Sequence, residues 1–197
     1  MKIPAEKIKQ LREQTGAGMI DCRNALEESR GEIPEAVKIL RKKGMADAEK
    51  KVLRQTREGL IASYIHPGSK IGVLVEVNCE TDFVAKNDDF KQLVKDITMH
   101  IAAGSPKYIH SDEVPEETIE GEKEIVREEF SKKPEEIISK IALGRMEKYF
   151  SQYCLLHQPF VKDEDMTVRD YIATYIAKLG ENIRVRRFVR FNLGEED

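Results

Sequence analysis

The amino-acid sequence predicts an α+β fold. It places a small three-helix region first, then an antiparallel sheet with helices on one face and a protruding antiparallel helical hairpin. Three observations carry this. Before residue 52, apolar positions recur at helical spacing and are broken by proline and glycine. The alternating runs "GLIASYIH" and "KIGVLVEVN" flank the turn "PGS" and read as a β-hairpin. Residues 115–150 hold two highly charged segments, each with one narrow apolar seam.

The elements follow in order. Pro4 opens the first helix, where its missing N–H costs nothing, and Ile8 and Leu11 mark one face. "TGAG" at Thr15–Gly18 breaks it. The second helix carries Met19, Cys22, Ala25 and Leu26 and is expected to stop at Gly31. The third starts at Pro34, turns Ala36, Val37 and Leu40 inward and is expected to end near Gly44. So few large apolar groups make a marginal domain. Arg41–Arg57 has seven bases and two acids and reads as a basic linker or solvated helix.

After the hairpin, Asn87 is an N-cap for a helix whose stripe is Phe90, Leu93, Val94, Ile97 and Ile101, with Gly104 at its end. "KYIH" reads as a short strand. Ile119, Ile125/Val126 and Phe130 on one charged helix face Ile138, Ile141/Ala142 and Tyr149 on the next. "SQYCLLHQPFV" is strand or loop. A helix with Val168, Tyr171, Ile172, Tyr175 and Ile176 follows. In the last strand, Ile183, Val185, Val189 and Phe191 are expected in the core and Arg184, Arg186 and Arg190 outside.

Composition bounds the function. The chain has 197 residues, 40% apolar and 35% charged, with a formal charge of −3, so nothing global points to nucleic acid or a membrane. The start "MKIPAEKIKQLREQ" has no apolar core, and the longest apolar run, "GVLVEV", cannot span a bilayer; a cytoplasmic location is expected. Cys22, Cys79 and Cys154 lack metal-ligand spacing. They fit reduced thiols or one cross-chain disulfide at Cys154.

No catalytic constellation emerges. "GAG" at Gly16–Gly18 follows no strand, so an interhelix turn explains it better than a phosphate loop. Cys79 lies beside Glu80 and Asp82, which raise a thiol pKa. His66, His100, His110 and His157 are scattered, and His100 sits mid-helix beside the apolar stripe. "RVRRFVR" suits either an RNA-binding strand or the solvated face of a half-buried one. Residues 112–131, with nine acids against two bases, weigh against nucleic acid.

The corner "CETDFVAKN" stays open on spacing alone. If the helix began at Thr81, Phe83 would stand seven residues before Phe90 on the core face. If "NDD" begins a new helix, "TDFVAK" is a separate exposed turn and Phe83 serves something outside the chain.

These segments together resemble the bacterial translation elongation factor Ts family. "LREQTGAGMIDCRNALEE" (Leu11–Glu28) is similar to its first signature and "VEVNCETDFVAKN" (Val75–Asn87) to its second. "MHIAAGSP", "GRMEKYFSQYCLLHQPFVKD" and "GENIRVRRFVRFNLGE" match further stretches in order. The resemblance implies a guanine-nucleotide exchange factor, not an enzyme, with no cofactor or metal of its own, acting on elongation factor Tu. It implies a ubiquitin-associated-like (UBA-like) domain and basic linker over 1–52, and a core and dimerisation domain over 53–197 with its coiled-coil hairpin at 115–150.

Positions matching the family's contacts with the Tu GTPase domain are Arg12, Met19 and Ile20, the turn Thr81, Asp82, Phe83 and Val84, and His100. In that family the phenylalanine of the turn inserts between helices near Tu's magnesium and phosphate site, a role the resemblance implies for Phe83. Longer members duplicate the core; this chain has one copy, which implies a homodimer with no direct nucleic-acid or membrane partner. The alternative reading is an RNA-binding or ribosome-associated module using the C-terminal arginine strand.

Overall fold

A computed structural model describes residues 3–195. The fold is α+β, and its elements divide into two compact units. The first takes in the chain up to Ala62, Val75–Asp96 and Asp170–Phe188. The second takes in Ser63–Leu74, Ile97–Arg169 and the chain from Val189 on.

In the first unit α1 (Ala5–Thr15), α2 (Met19–Glu28) and α3 (Ile33–Lys51) pack as a three-helix cluster. Its centre is small: Leu11, Cys22, Ala25, Leu26 and Ala36 are buried, with Ile8, Val37 and Leu40 packed around them. α2 ends at Glu28, just before Gly31, whose N–H donates to the Leu26 carbonyl at 2.7 Å from a left-handed φ of 86°. The expected end of α3 near Gly44 is overturned. The helix continues for two turns, because Gly44 is buried against helix α8 (Val168–Leu179); a Cβ there would lie 3.6 Å from the Ala173 carbonyl oxygen. Helix-to-helix packing outweighs the helix cost of glycine, about 1 kcal/mol. Lys51 then donates to the Ile176 carbonyl at 3.2 Å, so much of the basic stretch is helix anchored to α8.

Strands β1 (Glu58–Ile65), β2 (Ile71–Cys79) and β5 (Arg184–Asn192) form one sheet in the order β1-β2-β5. At the β1–β2 turn the His66 N–H donates to the Ile71 carbonyl at 2.9 Å. Gly59 has φ 147°, and a side chain there would collide with the Val77 carbonyl. Alternation is clean in β2, where Val73, Val75, Val77 and Cys79 are buried and Leu74 is exposed.

In β5 the alternation breaks. Ile183 and Val185 are buried as expected, but Arg186 and Arg187 are both exposed. From there the inward positions are Phe188 and Arg190, while Val189 is 40% and Phe191 69% exposed. The expected core placement of Val189 and Phe191, and the solvent placement of Arg190, are therefore corrected. One extra residue in the strand flips every later side chain to the other face. Arg190 makes the best of its position by donating to Glu195 at 3.0 Å and to the Ala102 carbonyl at 3.4 Å.

Helix α5 (Asp88–Gly104) buries its whole predicted stripe, Phe90, Leu93, Val94, Ile97 and Ile101. In the second unit, α6 (Glu116–Glu129) and α7 (Glu135–Tyr153) pair as the antiparallel hairpin, and Arg145 reaches back to Glu122 at 3.2 Å. Its buried positions are Val126, Ile138 and Met146; Ile125 stays 48% exposed. "KYIH" forms no strand, only an isolated parallel bridge between Tyr108 and Cys154. Within "SQYCLLHQPFV" the chain leaves α7 and forms β3 (Pro159–Phe160), which pairs with β4 (Asp163–Thr167).

Candidate partner-binding site

The corner after β2 is built from local chemistry. Thr81 leaves the strand extended, and its hydroxyl oxygen accepts the Val84 N–H at 3.4 Å, starting the short helix α4 (Asp82–Lys86). Asn87 ends α4 and caps α5, its side-chain oxygen accepting the Asp89 N–H at 2.8 Å. Two helix starts six residues apart settle the open choice: "TDFVAK" is a separate turn of helix. Phe83 is 83% exposed, whereas Val84 and Ala85 are buried. Lys86 donates to Asp82 at 2.6 Å, and this bond, with the charge behind it, holds the Asp82 carboxyl below its usual range.

The corner is braced from the far end of the chain. Glu181 accepts the Glu80 and Thr81 N–H groups, both at 3.0 Å, through one oxygen and the Thr81 hydroxyl at 2.6 Å through the other. Glu80 in turn accepts the Asn182 N–H at 2.6 Å. The Asn182 amide donates to the carbonyls of Val52 at 3.3 Å and Arg54 at 2.9 Å. Sequence reasoning missed Glu181 and Asn182. The only signal was "GEN" directly after a helix, which has no local partner to reveal it.

Arg12, Met19 and Ile20 lie on the exposed side of the three-helix cluster; Ile20 is 74% and Met19 46% exposed. Leu11 and Cys22, beside them in sequence, are buried. His100 behaves differently. It is 2% exposed in the second unit, its Nε2 is 2.9 Å from the Gln158 side-chain oxygen, and its Nδ1 accepts the Val161 N–H at 3.2 Å. Gln158 spends its amide protons on the carbonyls of Gly104 and Gln152, which makes its oxygen the acceptor and His100 a neutral Nε2–H tautomer. Burial pushes the His100 pKa down.

The cysteines are buried and free. Burial pushes the thiols of Cys79 and Cys154 up to about 11, the reverse of an activated nucleophile. No cluster of His, Cys, Asp or Glu among the described residues could hold a metal ion, and no helix among them is long and apolar enough to cross a membrane. A cleft of about 380 Å³ in the first unit is lined by Gln55, Thr56, Arg57, Asn78, Arg184 and Arg186, together with Glu76. Arg187 holds Glu76 at 2.7 Å, leaving the cleft basic.

The sequence profile of elongation factor Ts matches residues 3–195. The chain belongs to the elongation factor Ts family. It is 55% identical over 197 residues to elongation factor Ts of Fervidobacterium nodosum, covering 99% of this chain and all of that one. It is 53% identical over 196 residues to elongation factor Ts of Thermotoga neapolitana, covering the full length of both. To elongation factor Ts of Heliobacterium modesticaldum it is 56% identical over 195 residues, 98% of this chain and 91% of the relative. Membership in the elongation factor Ts family makes this chain a translation elongation factor by descent. The exposed corner with Phe83 lies inside the matched region.

Proposed function

We propose that this chain binds elongation factor Tu and promotes release of its GDP by disturbing the magnesium and phosphate site. The observation that carries the reading is Phe83. A phenylalanine 83% exposed at a braced corner is a large apolar group held ready for a partner. Burying it in a pocket of Tu contributes about 1.5–3 kcal/mol, enough to help move helices that orient the metal's waters. Arg12, Met19 and Ile20 supply a second patch on the 1–52 region. Thr81 and Asp82 shape the turn, Val84 supports it beneath the exposed Phe83, and His100 is buried in the second unit.

The thermodynamics is reciprocal. A factor that weakens GDP on Tu is itself weakened by nucleotide to the same ratio. An incoming nucleotide therefore expels the factor, and net direction comes from the excess of GTP over GDP.

The 53–197 region forms a homodimer in this reading. Support comes from Ile65, Leu74, Val189, Phe191 and Leu193, which are all exposed in the second unit on the sheet and the turn that follows it. The experiment is release of fluorescent GDP from Tu: acceleration by the chain supports the reading, and an unchanged off-rate overturns it.

A second reading rests on the arginine cleft. Arg57, Arg184 and Arg186 suit a phosphate backbone, and no aromatic side chain lines the cleft for base stacking. Retention of RNA that falls steeply with salt and disappears on Arg184→Ala/Arg186→Ala would favour it.

A further inference from the structure

We infer that Glu181 is a positioning residue for exchange: it holds the corner that presents Phe83. This rests on the exchange reading above. α4 has five residues, too few to keep its own shape, since short isolated helices are unstable in water. Its orientation must come from outside. Below it, Val84 and Ala85 anchor one side. At its N-terminus the anchor is the Glu181 carboxylate.

The geometry is specific to a carboxylate. One oxygen takes two successive backbone N–H groups, those of Glu80 and Thr81, each at 3.0 Å. The other takes the Thr81 hydroxyl proton at 2.6 Å. That bond leaves a hydroxyl lone pair turned toward the Val84 N–H, which it accepts as the cap of α4. Glu181 therefore fixes the cap, and the cap fixes the first turn in which Phe83 stands.

The brace is reciprocal. Glu80, the residue before the cap, accepts the Asn182 N–H at 2.6 Å. Two segments a hundred residues apart thus exchange carboxylates across four hydrogen bonds. Glu181 itself follows Gly180, whose φ of 79° turns the chain out of α8. Glu181 does not touch the partner in this account; it acts through Phe83.

A double-mutant cycle on the full chain tests this, with fluorescent-GDP release from Tu as the readout. Hydrogen bonds to a charged group are strong, so Glu181→Ala is expected to slow exchange about tenfold or more. In the Phe83→Ala background the same change should cost less than about twofold, because nothing remains to position. Glu181→Gln, which keeps one acceptor oxygen, should fall between wild type and Glu181→Ala.

An equal loss in both backgrounds, or no loss from Glu181→Ala, overturns the proposal. Amide hydrogen exchange of the free chain gives an independent arm. Glu181→Ala and Glu181→Gln should each lower protection at Glu80, Thr81 and Val84 while α5 stays protected. Unchanged protection there overturns the brace itself. If the wild-type chain fails to accelerate GDP release, the exchange reading falls, and the amide arm still decides whether Glu181 holds the corner.

Discussion

Phe83 and Val84 are neighbours in one short helix and face opposite ways: Phe83 is 83% exposed and Val84 is 9% exposed. Substitution should separate binding from stability at this point. Phe83→Ala is expected to slow GDP release from Tu about 10- to 100-fold, the worth of one buried phenylalanine, and to shift folding stability by less than about 0.5 kcal/mol. Val84→Ala should do the opposite, costing about 1.5 kcal/mol of stability for two methylenes. Urea titration and exchange kinetics on the two variants check it. Loss of several kcal/mol in Phe83→Ala would make that ring part of the core instead.

His100 gives the chain a pH-sensitive joint. Burial lowers its pKa below the ordinary 6.5, and in the second unit His157 is lowered for the same first reason. The unfolded chain then binds more protons than the folded chain below about pH 6.5, so stability is full above that pH and falls as pH drops toward the folded pKa. His100→Gln is expected to flatten that slope, leaving the share due to His157. Urea denaturation midpoints between about pH 5 and 8 measure it, since the window follows from the histidine pKa. An unchanged slope would remove His100 from the account.

The sheet and the cysteines bear on the proposed dimer. Cys154 is fully buried and its thiol is pushed up to about 11, so it should not alkylate in the folded chain and should not crosslink two copies. Light scattering with and without reductant is expected to give the same dimer mass. Phe191→Asp, by contrast, should weaken the dimer about 30-fold or more, the effect of losing an interface hot spot. The circular dichroism spectrum should be unchanged.

Gly44 predicts an increase in stability. A Cβ there meets the Ala173 carbonyl oxygen at 3.6 Å and the Ala177 methyl at 3.7 Å, ordinary contacts. Gly44→Ala should therefore raise stability by about 0.5–1 kcal/mol through helix propensity and the unfolded chain. Gly59→Ala should lower it, because its side chain collides with the Val77 carbonyl and φ is 147°. Thermal unfolding of both variants tests the pair.

Periodicity made most elements legible. The α5 stripe, the β1–β2 hairpin and the cap at Asn87 are local patterns, and the structure has them where spacing put them. What failed was non-local. Gly44 looked like a helix end because the α8 surface that packs against it lies far along the chain. Glu181 is one of many glutamates until its three donors are in view. The corner was legible only in part. Asn87 argued for an exposed Phe83 and the spacing to Phe90 against it, and resemblance to a family tipped the reading. His100 could be placed beside the stripe by spacing, but nothing local showed that both ring nitrogens would be engaged inside.

The lost beat in β5 has a consequence for how this surface can change over time. Because Arg186 and Arg187 both point outward, Val185 lines the interior while Val189 and Phe191 look out. Deleting either arginine would restore strict alternation and still leave Phe188 and Arg190 facing in and Val189 and Phe191 facing out, because two adjacent outward residues would become one. A single codon lost there would thus erase the irregularity in the strand while the sticky exterior of Val189 and Phe191 survives it.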